Sequence, residues 1–159
     1  MSDIDGASEG TFLVTHADED SAVLKDVESG QVHTLSSNPG VEEDDAVEGV
    51  VAPEPPLELT VELVELHERR SLRLHESREP PTTQEREIAA EQAVGDLTRT
   101  ERAGIGEIHV INVPEAETEA AVEDVLSDRE ATLSRAARLG VNRVEIRSEP
   151  GIVSVRYLP

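Results

Sequence analysis

The chain has 159 residues, enough for one medium domain or two small ones, and its 35 acidic and 14 basic residues give a formal charge of −21. It contains no cysteine, which excludes a disulfide framework and a thiolate metal site. Residues 1–6 lack the basic start and apolar stretch of a signal peptide, and no apolar run approaches the ~20 residues of a bilayer span, so a cytoplasmic protein without membrane contact is expected.

Residues 1–9 are small and polar and read as a disordered tail. Short strands follow, at 11–16 and 22–26, split by the acidic turn Asp18-Glu19-Asp20. Ser29-Gly30 leads into a third strand at 31–35, and Asn38-Pro39-Gly40 is a strong turn signal. The acidic run 42–45 precedes a fourth strand at 46–52. After Pro53-Glu54-Pro55-Pro56 a long segment, 57–75, alternates apolar and polar residues with a change of phase at Leu63-Val64. A one-residue phase change is what a β-bulge produces, and bulges let a short sheet curl. Five short strands, one of them bent, predict a small antiparallel β-barrel of the OB or SH3-like kind over residues 10–79; a flat sheet packed on the second half is the competing arrangement.

Pro80-Pro81 marks the expected boundary to an α+β domain at 80–159. Thr82-Thr83-Gln84-Glu85 has the spacing of a capping box, opening a helix over 83–102 that Gly104 would stop. A strand is expected at 107–113, then helices at 115–126 and 128–139, the second ended by Gly140 as a left-handed cap. Residues 144–146 and 153–155 read as a hairpin around the four-residue loop 148–151. The order α-β-α-α-β-β predicts helices packed on a three-stranded sheet, an α+β sandwich.

The stretches GTFLVT, QVHTL, APEPP, PPTTQERE, AAEQA, GEIHV, NVPE, ARLGV and VSVRYLP resemble a haloarchaeal protein family of unknown function, over nearly the whole chain after the tail. The resemblance implies origin in a salt-filled cytoplasm and brings no activity, ligand or site residue. Residues 39–49 are also similar to the turn into a strand of S1 or TRAM-type RNA-binding barrels, where a Gly-Asp pair precedes the strand. Here Asp44 stands in place of that Gly.

Composition supports the saline solvent. Thirteen of the fourteen basic residues are Arg, Lys25 is the only Lys, and Phe12 and Tyr157 are the only large aromatics. At molar salt the screening length falls to about 3 Å, so a dense carboxylate surface repels itself little. Concentrated salt also strengthens apolar association, which lets small side chains build an adequate core.

Chemistry-bearing motifs are absent. His16, His33, His67, His75 and His109 show no metal-ligand spacing, and there is no nucleophile elbow. Ala103-Gly104-Ile105-Gly106 follows a helical pattern and precedes a strand, the reverse of a phosphate cradle. The acidic run 42–45 lacks the spaced oxygen ligands and Gly turn of a calcium loop. Neither an enzyme nor a cofactor is expected.

Charge placement is the informative feature. Residues 1–68 hold 18 acidic residues and one basic, whereas residues 129–159 hold six arginines and three acidic residues. On the expected hairpin Arg143, Arg147 and Arg156 share one face; Arg135 and Arg138 lie three apart on the preceding helix, and Arg69, Arg70, Arg73 and Arg78 cluster at the domain junction. Two readings stand open. These arginines contact RNA or a ribonucleoprotein through bidentate phosphate hydrogen bonds, or they pair with an acidic protein partner or with carboxylates of the chain itself. The expected function is a noncatalytic binding module.

Overall fold

A computed structural model describes residues 6–159, and the chain divides into two compact units, one ending at Leu72 and the other running from Arg73 to Pro159. The first unit contains β1 (Ser8–Ala17), β2 (Ala22–Asp26), β3 (Val32–Leu35), β4 (Asp45–Pro53) and β5 (Val61–Ser71), closed into a barrel in the order β1-β2-β3-β5-β4. Neighbours are antiparallel except β3 and β5, which meet in parallel where Leu35 faces Val61. Strand alternation turns Phe12, Val14, Leu24, Leu35, Val47 and Val51 into the barrel, where all are buried. Phe12, the only Phe, meets His33 edge-on with ring centroids 5.9 Å apart. Strand β1 starts earlier than expected, because Ser8 and Glu9 pair with Val51 and Val50. The rest of the expected tail, residues 1–5, lies outside the described residues.

The phase change at Leu63-Val64 is a bulge. Val50 faces Glu65 and Val51 faces Leu63, so Val64 is the extra residue; a second shift leaves out His67. The two bulges bend β5 around the barrel. Gly49 sits between them, where a Cβ would lie 2.2 Å from the Glu65 carbonyl oxygen.

The expected long segment 57–75 is not one strand. It breaks at the buried Leu72, and β6 (Arg73–Glu76) joins the sheet of the second unit. There follow α1 (Thr83–Ala90), β7 (Leu97–Glu101), β8 (Glu107–Asn112), a 3-10 turn (Glu115–Glu117), α2 (Thr118–Ser127), α3 (Arg129–Leu139), β9 (Arg143–Glu149) and β10 (Ile152–Leu158). The sheet has five strands rather than three, in the order β6-β9-β10-β8-β7, with β6 parallel to β9.

Helix α1 stops at Ala90, not near Arg102. Its capping box is formed: Glu85 N–H donates to the Thr82 hydroxyl at 3.2 Å, and Thr82 N–H donates to the Glu85 carboxylate at 3.1 Å. Gly95, at φ +94, turns the chain after the helix, and the β-branched alternation Leu97-Thr98-Arg99-Thr100 then pairs with β8. Gly104 and Gly106, both at positive φ, shape the β7–β8 turn instead of stopping a helix. Helix α3 does end on Gly140 in the left-handed conformation, φ +76.

The β9–β10 loop is the two residues Pro150-Gly151, with Gly151 at φ +86, and not residues 148–151. Pro followed by a positive-φ Gly is the pattern of a tight type II turn, so strand pairing continues two residues further than expected. Val155 therefore faces Ile146, and Tyr157 faces Val144. The even shift keeps every side chain on its expected face of the hairpin. Val144, Ile146, Val153 and Val155 pack toward α2 and α3 with the buried Val122, Leu133, Ala136 and Ala137, while α1 covers β8 and β10 from the other side. Among the described residues, no helix is long and apolar enough to cross a membrane.

Candidate functional site

Alternation along β9 and β10 sends Arg143, Glu145, Arg147 and Arg156 to the face that α1 partly covers. Here carboxylates of the same unit engage the guanidinium groups. Glu85, from the first turn of α1, is buried and receives a hydrogen bond from Arg156 Nη1. Arg156 Nε lies 3.4 Å from Glu145, which also accepts a hydrogen bond from Arg147 Nε. Arg147 Nη2 reaches Glu79 at 3.0 Å. The chain Glu85–Arg156–Glu145–Arg147–Glu79 is thus one ionic network across two strands, a helix start and the segment before that helix, with the Arg147 and Arg156 side chains only 15% and 14% exposed. Farther along, Arg86 holds Glu149 at 2.7 Å.

Burial pushes the Glu145 carboxyl up. The hydrogen bond and charge of Arg147, with Arg156 and His75, outweigh this and hold it below the ordinary value. His75 stands 3.8 Å from Glu145. Arg147 and Arg156 are thus engaged by carboxylates of their own unit and have little guanidinium surface to offer a ligand, although Arg156 Nε is buried with no hydrogen-bond partner among the described residues.

Arg135 belongs to the opposite face of the sheet. From α3 its Nη2 contacts both oxygens of Glu107, at 3.0 and 2.9 Å, and its guanidinium carbon stands 5.9 Å from the Tyr157 ring centre. Beside this ion pair the His109 ring is buried, 5.0 Å from Tyr157, with Nε2 3.6 Å from Glu107 and without a hydrogen-bond partner among the described residues. Burial pushes His109 below its ordinary value, Arg135 adds to the shift, and Glu107 opposes it. Arg138 lies on the exposed side of α3.

The junction arginines separate as well. Arg69 is a clamp within the barrel: its Nε donates to the buried Asp45 at 2.5 Å and its Nη1 to Gly40 O at 2.7 Å. Asp45 also accepts from Glu42 N–H at 2.9 Å, so one carboxylate and one guanidinium tie the turn 39–45 to β5. Arg70, the next residue on β5, places its charge near Glu48. Arg73 opens β6 and stands directly opposite Arg143 on β9, both side chains exposed.

Of the sequence-expected residues, the structure thus joins Arg143, Arg147 and Arg156 with Arg73 on one face of one sheet. Arg135 and Arg138 come from the helix on the other face, and Arg69 and Arg70 belong to the barrel. The carboxylates completing the network were not legible as a set: Glu85 carries a capping signal, but nothing links it to Arg156, 71 positions away. A cavity of about 320 Å³ opens beside Glu85, lined also by Ile88, Thr100, Arg102 and Ile108. Among the described residues, no three His, Asp or Glu side chains converge as metal ligands.

These features define a two-unit α+β protein that combines a closed five-stranded barrel with a helix-covered five-stranded sheet holding a buried ionic network. The chain belongs to DUF5812, a family of unknown function, whose model matches residues 8–148. No curated protein and no solved structure matches it.

Proposed function

We propose that the chain is a noncatalytic binding module that engages RNA or a ribonucleoprotein through the arginines exposed where β6 meets β9. The observation that carries this reading is the pair Arg73 and Arg143, directly opposed on neighbouring parallel strands about 4.8 Å apart. Arg143 Nη1 lies 4.0 Å from Glu145, a carboxylate that also serves Arg147 and Arg156, so positive charge stays in excess here and a phosphate bridging the two guanidinium groups would balance it. Arg135, Arg147 and Arg156 scaffold the second unit in this reading and do not contact the ligand. The order β1-β2-β3-β5-β4, with β3 and β5 joined in parallel, supports an OB-type barrel over an SH3-like one. The acid excess and Arg bias support a haloarchaeal cytoplasm as its setting.

Crosslinking to cellular RNA at native salt tests the proposal. Wild type is expected to retain RNA, and a folded Arg73→Ala/Arg143→Ala variant to lose it, with the salt slope of binding reduced by about 2, one per phosphate contact. Equal retention by both proteins, or none by either, rejects it. A second reading, a protein-interaction subunit, is favoured by three exposed apolar side chains on the acidic barrel unit: Val32, Leu57 and Leu59, at 59%, 74% and 80% exposure. It requires a pull-down complex that survives nuclease and is lost in Leu57→Ser/Leu59→Ser.

A further inference from the structure

Strand β7 is the last strand of its sheet, and its outer edge faces no other strand among the described residues. The pairing with β8 determines which backbone groups that edge presents. Arg102 N–H donates to Gly106 O, and Asn112 N–H donates to Asp96 O. In an antiparallel ladder hydrogen-bonded and open positions alternate, so Thr98 and Thr100 direct their backbone groups at β8. Leu97, Arg99 and Glu101 direct theirs outward.

The same edge collects exposed apolar surface. Val94, just before β7, Leu97 within it and Ile105 in the following turn are 65%, 45% and 51% exposed. They are the exposed large hydrophobic side chains of the second unit among the described residues. An open edge flanked by apolar side chains is a template for another strand.

We infer that β7 pairs antiparallel with β7 of a second copy of this chain, joining two five-stranded sheets into one. The charges choose the register. With the two-fold axis at Arg99, the two Arg99 side chains would oppose each other. With the axis at Thr100, Arg99 faces Glu101 of the second copy, and Glu101 faces its Arg99. Arg99 and Glu101 are outward-bonding residues, so this register also completes their backbone hydrogen bonds. Thr100 then meets Thr100 across the axis, and Leu97 falls opposite Ala103, two residues from Ile105. Thr–Thr and opposite-charge pairs stabilise neighbouring strands, and a two-fold axis makes each contact twice. A strand pair of this length is at the small end of specific interfaces, so the dimer forms in a concentration-dependent manner.

Sedimentation equilibrium of the full chain over a concentration series, at a salt concentration where circular dichroism reports the fold, tests the inference. The mass is expected to rise from 17.2 kDa toward twice that value. Arg99→Glu and, separately, Glu101→Arg are each expected to weaken the dimer at least tenfold, and the exchanged Arg99→Glu/Glu101→Arg chain to recover it. A monomer at every concentration overturns the inference. So does a dimer indifferent to both single variants, or an exchange that fails to restore association. If one single variant does not fold, the other single variant and the exchanged chain apply the same test.

Discussion

Asp44 has φ +70, a left-handed conformation that costs a side chain about 1–2 kcal/mol and that Gly adopts freely. It is the position at which the S1-like pattern has Gly, so the departure from that pattern falls where the backbone is most demanding. The following Asp45 is the buried acceptor for Glu42 N–H and Arg69. Arg156 illustrates the same division between composition and contact. Its place in a basic segment reads as ligand surface, yet its guanidinium compensates a buried Glu85. Arg156→Ala should therefore destabilise the chain by about 3–5 kcal/mol, because it leaves a buried carboxylate without its cation. Replacing both partners, Glu85→Gln with Arg156→Met, should recover most of that loss. Urea unfolding midpoints read the difference, and a single variant costing less than about 1 kcal/mol would contradict the burial of this pair.

Element boundaries followed local chemistry where local chemistry was decisive. The Thr82–Glu85 capping box, the Gly140 cap and the Leu63-Val64 bulge all stand where the residues place them. Helix α1 did not: Gly95 at positive φ turns the chain, and pairing with β8 draws Leu97–Glu101 into the sheet. The candidate site was legible to the same partial degree: the hairpin face of Arg143, Arg147 and Arg156 follows from alternation, whereas its partners come from distant segments. Bulge geometry makes a prediction at this scale. Gly49→Ala places a methyl group against the Glu65 carbonyl and should cost about 1–3 kcal/mol by displacing β5. A thermal midpoint unchanged by this substitution would show that the bulge yields freely.

Across the whole molecule the pH response rests on a few charged groups whose values the fold shifts. Burial pushes Glu107 up, but Arg135 and His109 hold it below its ordinary value, as Arg147 and its neighbours do for Glu145. Their contribution to stability is complete above the ordinary carboxylate range, about 4.3, and is lost as pH falls through the lowered values. His109, also lowered, acts earlier: on acidification the unfolded chain takes up this proton first, so stability declines once pH falls below about 6.5. Glu48 acts in the opposite sense, because the Glu68 carboxyl opposite it raises its value and protonation relieves the pair. Thermal midpoints should fall in two stages on acidification, and His109→Leu should remove the first stage while leaving the carboxylate stage in place. A first stage unchanged in that variant would assign it to another group.

The sequence by itself determined the strand-rich first half, the capped helices of the second, the face on which the hairpin arginines lie and the uneven division of acid, since all of these arise from periodicity, capping and composition along the chain. Only the tertiary structure decided that segment 57–75 is shared between two sheets, that β7 is a strand, and that Arg135, Arg147 and Arg156 are bound by carboxylates. Those outcomes depend on strand pairing and charge compensation between residues far apart in sequence, and local patterns carry no record of which distant groups will meet.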